Sequence, residues 1–181
     1  MNTKNANSKL LLVRSLKELV HTKAFSKISV EEIVGNCNLS RQTFYKNFYD
    51  KYDLLSSLYE TDTKDIFKQY YADKDFVEFT SSIMKYFRNN KTYMKLLFDI
   101  DAPNLFLNFW NEYSVTFIIK EIGEKRITTE LMVAIYHFCY GSYFVIHKWL
   151  IHDLKEPCEE IAYFIVKSMP DILKPYLQIS I

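Results

Sequence analysis

Residues 29–51 contain two helix starts separated by a short turn, and this arrangement constrains the fold more than any other part of the chain. Ser29 is followed three residues later by Glu32, which is a capping-box pattern, so a helix is expected to begin there. Asn38 lies where the chain must turn, and Asn tolerates the left-handed conformation that such a turn needs. Ser40 can cap the helix that follows. Two short helices joined in this way are typical of a helix-turn-helix unit.

The second helix of this unit has two chemically different faces. Phe44 and Phe48 lie four residues apart, so they share a face that can be buried. The exposed side offers groups that suit base edges and phosphates, namely Arg41, Gln42, Thr43, Tyr45, Lys46 and Asn47. An ordinary solvated face would look similar. The capped turn, the short helices and the local positive charge together favour binding to DNA.

The charge of the chain is divided unevenly along its length. The formal net charge is only +1, but residues 1–51 contain nine lysines and arginines against four acidic residues, so this segment carries +5 and the remainder −4. A basic segment ahead of an acidic body indicates anion binding at the N-terminus. Hydrophobic residues make up 49% of the chain, with only 3 Gly and 4 Pro, and this scarcity of helix breakers predicts an all-α fold.

The apolar pattern and the helix breakers predict the order of the helices. The first helix is expected at residues 9–22, after a polar and frayed stretch at 1–8. The fourth is expected to run from Lys51 to about residue 72, and Thr129 is expected to cap the last helix but one. The other predicted helices after the fourth are 75–89, 91–99, 103–123, 129–152 and 157–176.

Residues 12–55 resemble the DNA-binding domain of TetR-family transcriptional regulators. The similarity rests on the segments ISVEEIV, NLSRQTFYKNF and DKYDLL, which follow one another in register, and residues 12–55 make up about a quarter of the chain. Asn38 departs from the Gly that the family often has in the turn. The resemblance implies an all-α fold with a three-helix helix-turn-helix DNA-binding domain at residues 1–50. A helical domain for ligand binding and dimerisation would follow at residues 51–181.

The resemblance also implies which residues bind double-stranded DNA: Ser29, Ser40, Arg41, Gln42, Thr43, Tyr45, Lys46, Asn47 and Lys51. Residues 41–43 would enter the major groove, where Gln42 can pair with adenine. Tyr45 and Asn47 would contact phosphates. Lys51, which opens the fourth helix, would bind a phosphate together with the positive end of that helix dipole.

The last two predicted helices are apolar around more than half of their circumference. A terminal helix pair of this kind needs a second partner, and a homodimeric four-helix bundle provides one. The predicted dimer interface consists of Phe138, Gly141, Val145, Trp149, Ile161, Phe164, Ile165 and Ser168. The segments GSYFVIHKWL and KEPCEEIA also resemble a TetR subgroup that includes activators of dihydroxyacetone kinase operons.

Aromatic residues are abundant in the C-terminal part, and the sequence leaves their role open. They can form the core, or their rings with polar tips can line a cavity for a flat or apolar ligand. The residues assigned to such a ligand pocket are Phe87, Phe98, Trp110, Tyr113, Tyr136, His137 and Tyr140.

Patterns for metal or catalytic chemistry are missing from the sequence. His137 and His147 lie ten residues apart on one predicted helix, about 15 Å along its axis, so they cannot ligate one metal ion. The three cysteines have no zinc-site spacing and are expected to be reduced thiols. No Ser/His/Asp arrangement or glycine-rich phosphate loop occurs. We therefore expect neither an enzyme nor a cofactor or metal.

The expected function is regulation of transcription in the cytoplasm, since the sequence shows neither a signal peptide nor a membrane span. Two copies would place their recognition helices in successive major grooves, about 34 to 36 Å apart, on a near-palindromic operator. A repressor released by a small-molecule effector is favoured over an activator controlled by a protein partner. A helical interaction protein that does not bind DNA is the alternative from another class.

Overall fold

The computed structural model describes residues 3–98, 105–151, 153 and 156–179, and the regular elements there are all helical, as predicted. Nine α-helices lie within these residues: α1 Thr3–Val20, α2 Val30–Asn36, α3 Arg41–Asn47, α4 Lys51–Asp73, α5 Phe76–Asn89, α6 Lys91–Phe98, α7 Leu105–Ile122, α8 Thr129–Ile151 and α9 Cys158–Lys167. Short 3-10 turns occur at Phe25–Lys27, Glu124–Arg126 and Lys174–Leu177.

The chain divides into two compact units. The first consists of Met1–Thr63 with Asp99–Leu105, and the second of Lys64–Phe98 with Phe106–Ile181. The division falls inside α4, whereas the sequence placed a domain boundary before this helix, at residue 50. The first half of α4 is therefore part of the core that supports α1 to α3.

The core of the first unit is built from apolar residues that recur once per helical turn. Leu12, Leu16 and Val20 of α1 are completely buried, in keeping with their spacing of four residues. Ser15 lies among them, and its hydroxyl donates a hydrogen bond to the carbonyl of Ile33, at 2.7 Å. This bond connects α1 to α2 and pairs the buried hydroxyl of Ser15.

α1 begins at Thr3, so the prediction of a frayed stretch at residues 1–8 is wrong from residue 3 onward. Residues 3–8 contain no Gly or Pro, and a helix that is already nucleated extends through such residues at little cost. At the other end, the amides of Thr22 and Lys23 both donate to the carbonyl of Leu19, at 3.0 Å. The helix therefore ends slightly earlier than the periodicity predicted.

Aromatic rings form much of the core of the second unit. The ring centroid of Phe67 in α4 lies 4.9 Å from that of Phe79 in α5, and 5.5 Å and 5.3 Å from those of Tyr113 and Phe117 in α7. All three contacts are edge-to-face, the geometry that aromatic pairs prefer. In the same unit α5 packs along α9, and α6 packs against α8.

Two predicted helix ends in the second unit are wrong. Thr128 caps α8, because its hydroxyl accepts a hydrogen bond from the amide of Leu131 at 3.2 Å, and Thr129 is already helical. α9 ends at Lys167 instead of residue 176. Pro170 accounts for this, since it lacks an amide hydrogen and disfavours helical conformation in the residue before it.

Candidate nucleic-acid interface

α2 begins at the predicted capping box. The hydroxyl of Ser29 accepts a hydrogen bond from the amide of Glu32 at 3.2 Å, and the carboxylate of Glu32 accepts one from the amide of Ser29 at 2.9 Å. The ammonium of Lys23 lies 2.5 Å from the other carboxylate oxygen. The Lys23 hydrogen bond first, and then those from Ser29, lower the pKa of Glu32 to about 2. These polar contacts fix the start of α2.

The turn between α2 and α3 contains the left-handed residue that the sequence predicted. Asn38 has a φ of 54°. Its amide donates to the carbonyl of Gly35 at 3.3 Å, and the amide of Leu39 donates to the carbonyl of Val34 at 2.9 Å. These two bonds satisfy the carbonyls of Gly35 and Val34 at the end of α2, where the chain turns into α3.

α3 is held by its cap and by two buried rings. The hydroxyl of Ser40 accepts a hydrogen bond from the amide of Thr43 at 3.1 Å, which confirms the predicted cap. Phe44 is completely buried and Phe48 almost so, as predicted, with 5.9 Å between their ring centroids, but Phe48 is extended and lies just beyond the end of α3. Truncating a buried phenylalanine to alanine typically costs about 3–5 kcal/mol. These two rings therefore determine the orientation of α3 within its unit.

The other side of α3 presents polar groups to solvent. Arg41, Gln42 and Lys46 are exposed, and Tyr45 is 53% exposed. The rings of Tyr45 and the buried Phe44 are nearly perpendicular, with 5.3 Å between their centroids. The structure thus brings together on α3 a guanidinium, an amide, an ammonium and a phenol, all of which can donate hydrogen bonds.

Those residues predicted to contact DNA that have short side chains form hydrogen bonds with neighbouring residues of the protein. The hydroxyls of Ser40 and Thr43 lie 2.9 Å apart, and the side-chain amide of Asn47 donates to the carbonyl of Thr43 at 2.7 Å. Ser29 takes part in the capping box of α2. These residues shape the ends of α2 and α3, whereas the longer exposed side chains extend beyond them.

Lys51 has a different environment from the other predicted contacts. It is half-buried, and its ammonium donates hydrogen bonds to the backbone carbonyls of Phe25, Ser26 and Ile28, at 3.0, 3.2 and 2.9 Å. Desolvation by burial lowers the pKa of Lys51 from its ordinary value. The structure therefore does not present Lys51 as an exposed cation next to the side chains of α3.

Tyr49 was not among the predicted contacts. It follows α3 directly and is 85% exposed, and its amide donates to the carboxylate of Asp53 at 2.9 Å. Its spacing from Tyr45 is the same four residues that separate Phe44 from Phe48. Because Tyr49 lies beyond the end of α3, this spacing does not place the two tyrosines on one helix face.

Ion pairs reduce the positive charge that is available in the first unit. Three of its cations lie close to carboxylates, in the pairs Arg14–Glu18, Lys17–Asp62 and Lys23–Glu32, at 3.1, 2.6 and 2.5 Å. Arg41 and Lys46 are exposed on α3. The basic character of residues 1–51 is therefore not spread evenly, and the cations of α3 are among those that face solvent.

The residues predicted to line a ligand pocket do not form one group. Phe87 and Trp110 are buried with their ring centroids 5.0 Å apart, and Tyr113 packs against Phe67. Three others lie on the exposed side of α8, namely Tyr136, His137 and Tyr140. The side chain of Phe98 lies outside the described residues.

The residues predicted to form the dimer interface also divide into two groups. Phe138, Trp149 and Ile165 are buried within the protomer, and Ile161 is half-buried. The exposed members of the set are Gly141, Val145, Phe164 and Ser168. Exposed apolar residues that the prediction did not include in the interface are Val133, Tyr136, Tyr140, Phe144 and Tyr163.

The described part of the chain contains no cluster of three or more His, Cys, Asp or Glu side chains that could hold a metal ion. None of the helices in the same residues has the length and apolar character needed to cross a membrane.

Similarity to known proteins covers both halves of the chain. A family model described as a transcriptional regulator C-terminal region, TetR_C_8, matches residues 74–171, which is more than half of the chain. A curated protein, the HTH-type dhaKLM operon transcriptional activator DhaS of Lactococcus lactis subsp. lactis (strain IL1403), is 26% identical over 105 residues. The match covers 55% of this chain and 54% of that protein, so the chain spans about half the length of this curated relative.

Two solved structures share the fold. The dihydroxyacetone kinase operon activator DhaS has a TM-score of 0.61 and 19% identity, over 94% of this chain and 96% of that one. A protein from Syntrophomonas wolfei assigned to the TetR family has a TM-score of 0.56 and 19% identity, over 98% of both chains. With the family match over residues 74–171, these similarities show that the chain belongs to the TetR family of transcriptional regulators.

Proposed function

We propose that this TetR-family protein is a sequence-specific regulator that reads double-stranded DNA with α3. The observation that carries the proposal is the contrast between the buried side of α3, where Phe44 packs next to Phe48 at the helix end, and its exposed side with Arg41, Gln42 and Lys46. Arg pairs well with guanine and Gln with adenine in the major groove, and Lys neutralises phosphates. The caps and the turn hold this helix in one orientation, as a base-reading element requires.

Replacing Arg41 tests this proposal. We expect Arg41→Ala to weaken binding to the promoter upstream of the protein's own gene by about 1–3 kcal/mol, and to reduce discrimination against unrelated DNA. Fluorescence anisotropy with a labelled promoter fragment, at several salt concentrations, measures both quantities. Arg126→Ala is the matched control, because Arg126 is also exposed but belongs to the second unit.

Two outcomes would contradict DNA reading by α3. The first is wild-type protein that shows no salt-sensitive, sequence-selective binding at micromolar concentration. That result would favour the helical interaction protein that does not bind DNA. The second is equal promoter affinity of the Arg41→Ala and Arg126→Ala variants, which would place the base-reading surface elsewhere.

We also propose that the protein acts as a homodimer through α8. Four exposed apolar residues of this helix recur every three or four positions and so form one stripe, Val133, Tyr136, Tyr140 and Phe144, and Val145 is exposed beside it. A Cβ atom at Gly141, on the same exposed side, would meet open space among the described residues, so a second helix could approach closely there. A second copy packed on this stripe would bury it in an isologous interface. The near-palindromic operator predicted above follows from this symmetry.

The direction of regulation has two candidates. A repressor released by a small molecule is the candidate predicted from the sequence. The residues assigned to its ligand pocket are divided, however: Phe87 and Trp110 lie in the core, and Tyr136, His137 and Tyr140 lie on the exposed side of α8. Activation is the second candidate, and the curated relative's description as an operon activator supports it.

A promoter–reporter fusion separates the two directions. If the protein is an activator, deleting its gene should lower expression from the promoters it binds. If it is a repressor, the same deletion should raise expression, and a complementing copy should restore the original level. The Arg41→Ala variant serves as a complementing control that has lost its operator contact.

A further inference from the structure

The ammonium of Lys51 is surrounded by backbone oxygens. Its nitrogen lies 3.0 Å from the carbonyl oxygen of Phe25, 3.2 Å from that of Ser26 and 2.9 Å from that of Ile28. A lysine ammonium has three N–H donors and no acceptor, so three carbonyls satisfy it completely. The same nitrogen lies 4.8 Å from the ring centroid of Phe25 and 5.6 Å from that of Tyr52, within the range of cation–π attraction.

These carbonyls belong to the connection between α1 and α2. Phe25–Lys27 is a single 3-10 turn, and Ile28 immediately precedes Ser29, the cap of α2. The carbonyls at the end of a helical turn carry partial negative charge, which a cation stabilises. Lys51, as the first residue of α4, therefore joins the start of α4 to the point where α2 begins.

The position of α3 depends on this connection through the chain itself. The α1–α2 connection sets where the capping box of Ser29 and Glu32 starts α2, and α2 leads through the turn at Asn38 into α3. Phe25 is completely buried in the core of the same unit. A change in the Ser26 to Ile28 backbone would therefore move the start of α2 and, with it, the exposed residues of α3.

We propose that Lys51 is a positioning residue for DNA reading, which holds the α1–α2 connection through three backbone carbonyls instead of neutralising a DNA phosphate. The proposal rests on the proposed function of α3. A phosphate contact would require the ammonium to give up at least one of its three carbonyl partners, because it has no fourth donor. Its lowered pKa agrees with this enclosed environment.

Two substitutions separate positioning from phosphate binding. Lys51→Arg keeps the positive charge, but its donors are spread over a planar fork and cannot converge on three carbonyls as an ammonium does. Lys51→Met keeps most of the apolar stem and removes both charge and donors. Lys68→Met is the control, because Lys68 is an exposed lysine of the same helix.

The positioning role predicts that both Lys51 variants behave alike. At a temperature where circular dichroism shows them fully folded, we expect each to lose about tenfold or more in operator affinity, with unchanged affinity for unrelated DNA. The slope of log affinity against log salt should equal that of the wild type. Amide hydrogen exchange should be faster at residues 25–30 and unchanged in α5 and α9.

A phosphate contact gives a different result. Lys51→Arg would then keep wild-type affinity, and Lys51→Met would reduce the salt slope by about 0.9 and weaken binding to all DNA. Either of these results overturns the proposal, as does wild-type operator affinity in both folded variants. If the wild type itself bound no DNA, the proposed function would fail, while unchanged exchange at residues 25–30 in the variants would separately disprove the role of Lys51 in the connection.

Discussion

At the scale of single residues, Glu32 combines three contacts at the start of α2. Its carboxylate accepts hydrogen bonds from the amide and hydroxyl of Ser29, at 2.9 and 3.0 Å, and from the ammonium of Lys23, at 2.5 Å. All three favour the ionised carboxylate, and they lower its pKa from 4.5 to about 2. The cap of α2 is therefore sensitive to acid.

The pH dependence of stability should show this directly. Because the folded-state pKa of Glu32 lies below its unfolded value, its contribution is fully present above about pH 4.5 and is lost as the pH falls towards 2. We expect Glu32→Gln to be less stable than the wild type at pH 6, with the difference shrinking between pH 4.5 and 2. Urea unfolding followed by circular dichroism measures the free energy of unfolding at each pH.

The neighbouring carboxylate provides the control for this prediction. Glu31 is exposed in the same first turn of α2 but is not part of the capping box. Glu31→Gln removes a carboxylate from the same turn and leaves the three contacts of Glu32 in place. A gap between wild type and Glu32→Gln that stays constant from pH 6 to pH 2 would show that the three contacts do not depend on the carboxylate charge.

The residues whose structural roles were predicted correctly contact partners that are close in sequence. Ser29, Asn38 and Ser40 were predicted because a cap or a left-handed turn involves partners within about four residues, and the sequence displays those partners. The environment of Lys51 was not predictable in this way. Its carbonyl partners lie 23 to 26 positions away, and backbone oxygens leave no trace in residue type.

At the scale of elements, the order of the helices could be predicted, but the orientation of α8 could not. Apolar residues surround most of this helix, so periodicity alone does not say which side meets the protomer core. The structure buries Phe138 and Trp149 and exposes Tyr140 and Phe144. This choice depends on packing against other helices, such as α6, and that information is distributed over residues distant in sequence.

The end of α4 illustrates the same limit. The hydroxyl of Tyr70 and the ammonium of Lys74 both donate to the carboxylate of Glu121 in α7, at 2.8 and 2.7 Å. Lys74 has a φ of 58°, in the left-handed region, which ends the helix. Neither a lysine in this conformation nor a partner 47 residues away is indicated by local sequence, although the predicted end of α4 was close to the observed one.

At the scale of the whole molecule, the stripe on α8 predicts that self-association depends on Phe144. This side chain is 53% exposed in the protomer. We expect wild-type protein to sediment as a dimer and Phe144→Glu to sediment near 21.6 kDa, because a carboxylate in an apolar interface is costly to desolvate. Sedimentation velocity at micromolar concentration measures the distribution. Operator affinity should fall when the dimer dissociates, because each copy reads one half-site.

Tyr45→Glu is a suitable control for the sedimentation experiment. Tyr45 is also 53% exposed and aromatic, but it lies on α3. This variant should remain dimeric while losing DNA binding. Wild-type protein found only as a monomer, or a dimer that persists in Phe144→Glu, would exclude the stripe as the interface.

The two faces of α3 have a consequence for how this protein can evolve. The packing of α3 against the core of its unit depends on the buried rings of Phe44 and Phe48. Arg41, Gln42 and Lys46, in contrast, are exposed to solvent. Exchanges at exposed positions usually change stability by less than about 0.5 kcal/mol. After gene duplication, the exposed positions can therefore diverge towards new promoters while the scaffold stays intact, so that one ancestral regulator can give rise to several with separate target genes.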